Sequence, residues 1–197
     1  MKAAALAWID EDEYLRWEAA QPTRHEYVDG QIYAMTGASL RHNIIAGNIY
    51  TLLRHHLRGS PCRTFLTDVK LRVAKQRSIY YPDVMVTCDP RHQQVEPGDF
   101  MVEQPRLVVE VLSTTTAATD RREKWHAYRT LPSLQEYVLI EQDRAAITIH
   151  RRDGDIGWQR IELQPGDPVE FASVELVTDF AAIYDESGVP LSDDPHA

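Results

Sequence analysis

A carboxylate in the middle of an apolar strand constrains this chain more than any other feature. Residues Leu107 to Leu112 read Leu-Val-Val-Glu-Val-Leu between Pro105 and Ser113, the pattern of a strand covered on both faces. Burying Glu110 there costs on the order of several kcal/mol unless a cation or hydrogen-bond donors meet it. A strand that keeps such a residue is expected to serve chemistry as well as packing. The question for the rest of the chain is what meets Glu110.

The nearest candidate follows in sequence. A helix is expected near Asp120–Leu131, opened by an Asp120/Glu123 capping box and stopped by Pro132. At about 100° per residue, Trp125, Tyr128 and Leu131 span one arc and Lys124 falls inside it. Such a lysine either snorkels, with its stem packed and its ammonium in water, or turns toward the acid on the preceding strand. Glu136–Ile140 reads as the next strand, so strand, helix and strand form a βαβ unit with parallel pairing.

Upstream, Asp10-Glu-Asp-Glu13 caps a short helix that Pro22 ends. His25–Val28 and Gln31–Met35 flank Asp29-Gly30, a strong hairpin signal that puts Glu26 on the first strand. Ala38–Arg58 is the clearest helix, with Ile45, Ile49, Leu52 and Leu53 at helical spacing and Gly59-Ser60-Pro61 as its stop. His42 and His56 fall in the same stripe, each read as a partly buried, hydrogen-bonded histidine or as a site residue near a helix end. Arg63–Ala74 and Ile79–Cys88 are expected as two alternating antiparallel strands, the second carrying Asp83 after Tyr81-Pro82, followed by a polar loop over Asp89–Met101. Further on, Ala145–Arg151 and Trp158–Leu163 are expected as strands around a turn at 153–157. Val169–Val177 reads as one more extended stretch, a short helix follows near Phe180–Tyr184, and the tail from Glu186 is expected to fray. The fold class is α/β: a mixed β-sheet core flanked by helices, with an N-terminal hairpin and a C-terminal β extension. It is expected as one domain over 1–197 with its core at about 10–185.

Composition narrows the classes of function. At 197 residues and 43% hydrophobic, the chain can build one sizeable core. A net charge of -9 argues against coating nucleic acid non-specifically, while leaving room for a local basic groove. Cys62 and Cys88 lack Cys-x-x-Cys spacing, so neither a zinc knuckle nor a disulfide framework is expected. No apolar run approaches the roughly 20 residues that span a bilayer, and no signal-peptide core precedes a cleavage site. A cytoplasmic, reducing location without membrane association is the expectation.

Asp83 and Glu110 carry the chemistry. Asp83 alone reads as a strand-end aspartate bonded to nearby backbone. If the two strands are neighbours, the carboxylates can share a face and bind a hard cation. Mg²⁺ takes one or two carboxylates and keeps water and phosphate oxygens in its other positions. It polarises a phosphoryl oxygen and lowers the pKa of bound water; Lys124 would orient that water or neutralise developing charge. The reading is metal-assisted phosphodiester hydrolysis. Asp68, Lys70 and Arg72 read as a solvated strand face, able also to contact phosphate, and Arg121-Arg122 as solvent-facing. Ser113–Thr116 lacks the Gly-x-Ser-x-Gly elbow of a serine nucleophile.

Several motifs in order resemble one family. Tyr81-Pro82-Asp83-Val84, Leu107-Val-Val-Glu110-Val-Leu-Ser113, Asp120, Lys124, Tyr128 and Glu136-Tyr137 look like the Uma-two family of bacterial endonucleases. That family is a branch of the PD-(D/E)XK, restriction-endonuclease-like superfamily. Glu26-Tyr-Val-Asp-Gly30 and His42 match its N-terminal pattern, and the likeness runs from about residue 10 to 185. The resemblance implies a restriction-endonuclease-like fold, with Asp83 and Glu110 as metal ligands and the Val111 carbonyl completing the Mg²⁺ shell, Mn²⁺ being a substitute. The superfamily's lysine two residues after the acid is Leu112 here, with Lys124 as its replacement from the helix. Glu26 resembles the family's extra acid, and His42 is an accessory. Two functions follow as expectations: a Mg²⁺-dependent DNA endonuclease, dimeric if it cuts two strands, or a nuclease-fold module, of the kind linked to a mobile element, that binds DNA or protein without cutting.

Overall fold

A computed structural model of the chain describes residues 8–94, 96–113, 117–154 and 157–191. The Ala-rich lead, Thr114–Thr116, part of the 153–157 turn and tail residues 192–197 lie outside the described residues.

Helix α1 (Glu11–Glu18) starts where its cap directs: Asp10 accepts the Glu13 N–H at 2.8 Å. Strands β1 (His25–Val28) and β2 (Gln31–Ala34) form the hairpin, with Asp29 and Gly30 both at positive φ, as a tight two-residue turn requires. Helix α2 (Leu40–His56) is capped by Ser39, which accepts from the His42 N–H at 3.1 Å. It buries Ile45, Ile49 and Leu53, and His56 ends bonded to the Val174 carbonyl at 2.9 Å.

The two long strands expected next are four short ones. The first stretch divides into β3 (Arg63–Leu66) and β4 (Lys70–Val73), and the second into β5 (Ser78–Tyr80) and β6 (Val84–Thr87). A turn at 67–69 and a bend at 81–83 break them at matching places. The halves then join different sheets. One sheet runs β2-β1-β5-β4-β7, with β7 at Met101–Val102. The other collects β8 (Leu107–Leu112), β9 (Glu136–Glu141), β10 (Ile147–Asp153) and β11 (Gly157–Leu163) in the order β11-β10-β9-β8-β6-β3. Alternation resumes past the first break at Val69, Leu71 and Val73, and Ile79–Val86 is apolar across the second apart from Asp83, so periodicity carries no trace of the change of sheet.

The parallel pair is as expected: β8 lies beside β9 with Leu107 opposite Glu136 and Leu112 opposite Glu141. The crossover between them is the 117–128 helix, in three pieces: α3 (Ala117–Thr119), a π-helical turn (Asp120–Lys124) and α4 (Trp125–Tyr128). Val109 and Val111 of β8 pack with α2, while Val108 and Leu112 pack with Ala127, Tyr128 and Leu131. All six residues of β8 are buried, which accounts for a run without polar alternation around Glu110.

Further expectations need correction. Asp120 does not cap a helix: it lies within one and is buried at 2% exposure. Val169–Val177 is a small hairpin, β12 (Val169–Phe171) and β13 (Leu176–Thr178), bent at 172–174, with α5 (Phe180–Tyr184) after it. Cys62 and Cys88, expected unpaired, form a disulfide. Arg63 pairs with Thr87 in the β3–β6 ladder, so the next residues outward face each other, a juxtaposition fixed by register and invisible in the spacing. The described part of the tail is also partly packed, with Ser187 and Val189 buried. Among the described residues, no helix is long and apolar enough to cross a membrane.

Candidate active site

The site forms where β6 stops short of its neighbour. The β6–β8 ladder ends with Val84 opposite Val109, while β8 runs on through Glu110 to Leu112. The Val111 N–H that a longer β6 would have bonded is taken instead by the Asp83 carboxylate, Oδ2 at 2.7 Å. Satisfying that buried donor holds Asp83 beside Glu110. His42 Nε2, from the first turn of α2, lies 3.2 Å from the same Asp83 oxygen. Burial opposes a proton on His42, but Asp83, the Val111 carbonyl and Asp120 outweigh it and raise its pKa above the ordinary value.

Glu110 points the other way, toward the 117–128 helix. Its Oε1 accepts from Lys124 Nζ and from the Tyr128 hydroxyl, each at 3.1 Å. Glu110 and Lys124 are 3% and 6% exposed, so neither charge reaches solvent to any useful extent. The ammonium does not snorkel. It lies between three acids, with Glu26 Oε1 at 3.0 Å and Asp120 Oδ1 at 3.2 Å besides Glu110. Burial works against the ammonium, yet Glu110, Glu26 and Asp120 together hold its pKa well above the ordinary lysine value. For Glu110, burial is the largest influence and raises its pKa well above the usual carboxylate range. Lys124 opposes the rise, and Asp120, Asp83 and Glu26 add to it.

The expected side chains fall into two neighbouring groups: Asp83 with His42 on one side, Glu110 with Lys124 and Glu26 on the other, and the Val111 backbone between them. The sequence reading missed Asp120 as a member, having assigned it to a cap. The available signal was its i, i+4 spacing to Lys124, which puts both on one helix face. The π-helical turn over Asp120–Lys124 widens the helix at this point, a feature frequent at functional sites. Tyr137 supports it from β9, donating its hydroxyl to the Asp120 carbonyl at 3.0 Å.

The donor set suits a hard divalent ion. Three carboxylates, those of Glu26, Glu110 and Asp120, surround Lys124, and a fourth, Asp83, pairs with His42, so acids outnumber bases here. Buried Glu26 Oε1 and Asp120 Oδ1 sit within ion-pair reach of Nζ but have no hydrogen-bond partner. Among the described residues, no three Asp, Glu, His or Cys side chains form a complete metal cage. Two carboxylates and a carbonyl match the sparse protein ligation that Mg²⁺ accepts.

Comparison with known proteins identifies the family and the fold. A family model, Uma2, described as "Putative restriction endonuclease", matches residues 11–181. In Synechocystis sp. (strain ATCC 27184 / PCC 6803 / Kazusa), the protein slr1290 is 38% identical over 182 residues, covering 92% of this chain and 94% of its own. A second protein of that organism, sll1609, is 33% identical over 177 residues, covering 89% and 99%. Among solved structures, a protein of Anabaena variabilis ATCC 29413 described as "a putative nuclease belonging to DUF820" superposes with a TM-score of 0.73. It is 18% identical, covering 89% of this chain and 97% of its own, and shares the fold. The mixed α/β architecture is thus nuclease-like, and the chain belongs to the Uma2 family of restriction-endonuclease-like proteins.

Proposed function

We propose that this chain is a Mg²⁺-dependent endonuclease that hydrolyses phosphodiester bonds in DNA. The observation that carries the reading is the ammonium of Lys124, sealed against Glu110 from the neighbouring helix although the strand itself offers Leu112 where the superfamily has its lysine. An internal lysine inserted into a cluster of acids is poorly explained by stability, because both charges lose their hydration.

Asp83, Glu110 and the Val111 carbonyl are the ligands assigned to the ion. When bound, Mg²⁺ supplies Lewis-acid polarisation of a phosphoryl oxygen and a water of lowered pKa. The chain's own groups do the rest. Val111 N–H and His42 fix Asp83, and Tyr128 fixes Glu110. Lys124 brings a permanent positive charge to the place where negative charge grows on the phosphoryl oxygens. Glu26 and Asp120 keep that lysine protonated and aimed.

The test is incubation of supercoiled plasmid with Mg²⁺ and the wild type, Glu110→Ala or Lys124→Ala. Nicking by the wild type alone supports the reading; equal nicking by all three refutes it. The competing reading is a nuclease-fold module that binds without cutting, favoured by the engagement of both Glu26 and Glu110 by Lys124 rather than by an open pair of ligands. A chain that binds DNA but takes up no Mn²⁺ would decide for that alternative.

A further inference from the structure

The bend that delivers Asp83 begins at Tyr81, and two cations converge on that ring. Lys70 Nζ lies 5.3 Å from its centroid and the Arg24 guanidinium carbon 6.0 Å. They come from separate places, Lys70 from β4 and Arg24 from the residue before β1. The tyrosine is held from below, its hydroxyl donating to buried Glu18 at 2.9 Å. Glu18, whose oxygens are engaged by the His25 N–H at 2.9 Å, by His25 Nδ1 at 3.0 Å and by Tyr81, makes no ion pair with either cation and acts on Lys70 only through space.

Neither cation is well matched. Arg24 meets Asp68 at 3.4 Å, a pair with both side chains substantially exposed and therefore weak. Lys70 makes no ion pair among the described residues and stands between two rings, Tyr81 and Phe100, the latter 4.9 Å away. Burial lowers the pKa of Lys70; Glu18 opposes this and the Arg24 charge adds to it. Two like charges gathered over one ring, with the exposed Arg24–Asp68 contact as their one ion pair among the described residues, mark a place where an anion is stabilising. Phe100 is 51% exposed and is positioned by its carbonyl, which accepts from the Lys70 N–H at 3.0 Å. An exposed ring next to this pair of cations offers a stacking face for a base, which favours a nucleic-acid strand over a free phosphate.

We propose that Arg24 and Lys70, seated on Tyr81 and flanked by Phe100, bind a backbone phosphate of the substrate strand adjacent to the one held at Asp83 and Glu110. This inference rests on the nuclease reading of the neighbouring site. The subsite positions the strand through its phosphate and carries no sequence information. It also reconciles a chain of net charge -9 with a polyanionic substrate, because the binding charge is local.

The experiment is fluorescence anisotropy of labelled DNA with EDTA present, across a salt series, for the wild type, Arg24→Gln, Lys70→Gln, Lys70→Arg and a control, Arg160→Gln on the outer strand β11. Circular dichroism establishes folding for each. Arg24→Gln and Lys70→Gln are expected to weaken binding by about tenfold each, the scale of one charge-assisted contact. Each should also reduce the slope of log affinity against log salt by about 1. Lys70→Arg should restore both, Arg160→Gln should change neither, and Mn²⁺ affinity should be the same in all five. Unchanged affinity and slope in Arg24→Gln and Lys70→Gln, with the wild type binding DNA, overturns the subsite and leaves the nuclease reading standing. Failure of Lys70→Arg to restore binding also overturns it, as a packing defect. A wild type that binds no DNA refutes the nuclease reading and the subsite with it.

Discussion

Lys124 Nζ lies 3.1 Å from Glu110 Oε1 with both side chains buried, and Glu26 and Asp120 close around the same ammonium. Removing one partner from such a group leaves uncompensated buried charge, which costs more than the intact pair contributes. Lys124→Met is expected to lower the unfolding free energy by about 3–5 kcal/mol and to abolish plasmid nicking. Lys124→Met/Glu110→Leu should recover part of the stability and none of the activity. Urea denaturation of the three proteins checks this, and a Lys124→Met protein as stable as the wild type contradicts it.

Asp83 has a structural bond and a proposed ligand role that substitution can separate. An asparagine oxygen can still accept from the Val111 N–H, so Asp83→Asn should cost at most about 1 kcal/mol, whereas Asp83→Ala orphans that donor at about 1–3 kcal/mol. Both variants should lose Mn²⁺ binding by calorimetry. Retention of the wild-type affinity in Asp83→Asn would remove Asp83 from the ligand set.

His150 gives a pH signature away from the site. Burial, and secondarily the Arg160 charge, lower its pKa from 6.5 to about 4, and its ring is stacked on Trp125 with centroids 4.1 Å apart. Between those two values the unfolded chain takes up a proton that the native state refuses. Its contribution is therefore intact above pH 6.5 and is lost as the pH falls toward 4. His150→Phe keeps the stack and removes the titration. Melting temperatures over this window should fall less steeply in the variant than in the wild type; parallel curves would refute the assignment.

The Cys62–Cys88 bond closes a loop with a sequence separation of 26. Reduction is expected to lower stability by about 2–4 kcal/mol, chiefly by freeing the unfolded chain. Thermal melts with and without dithiothreitol check this, and a Cys62→Ser/Cys88→Ser protein should melt with the reduced wild type and ignore the reductant.

Much of the fold is legible where the determinant is local. Asp10 caps α1, Asp29-Gly30 turns the first hairpin, and β8 begins and ends where its apolar run does. Each depends on residues a few positions apart. The change of sheet at 67–69 and 81–83 is of another kind: alternation along a strand is the same whichever strands lie beside it, so the break leaves no mark in the pattern. Asp120 was misplaced for a similar reason. An acid three residues before a glutamate reads as a cap, and only the π-helical turn and the nearby ammonium make it part of the cluster.

The amino-acid order by itself determined that a carboxylate sits in a strand buried on both faces, that a lysine follows on an inward helical arc, and that the family motifs occur in sequence. Which oxygen meets which nitrogen was decided by the tertiary structure alone. The early end of β6 hands the Val111 N–H to Asp83, and parallel pairing of β8 with β9 lays the crossover helix over Glu110. Strand register and helix placement are set by the sum of many weak apolar contacts spread over the whole core, and no short stretch of sequence holds that sum.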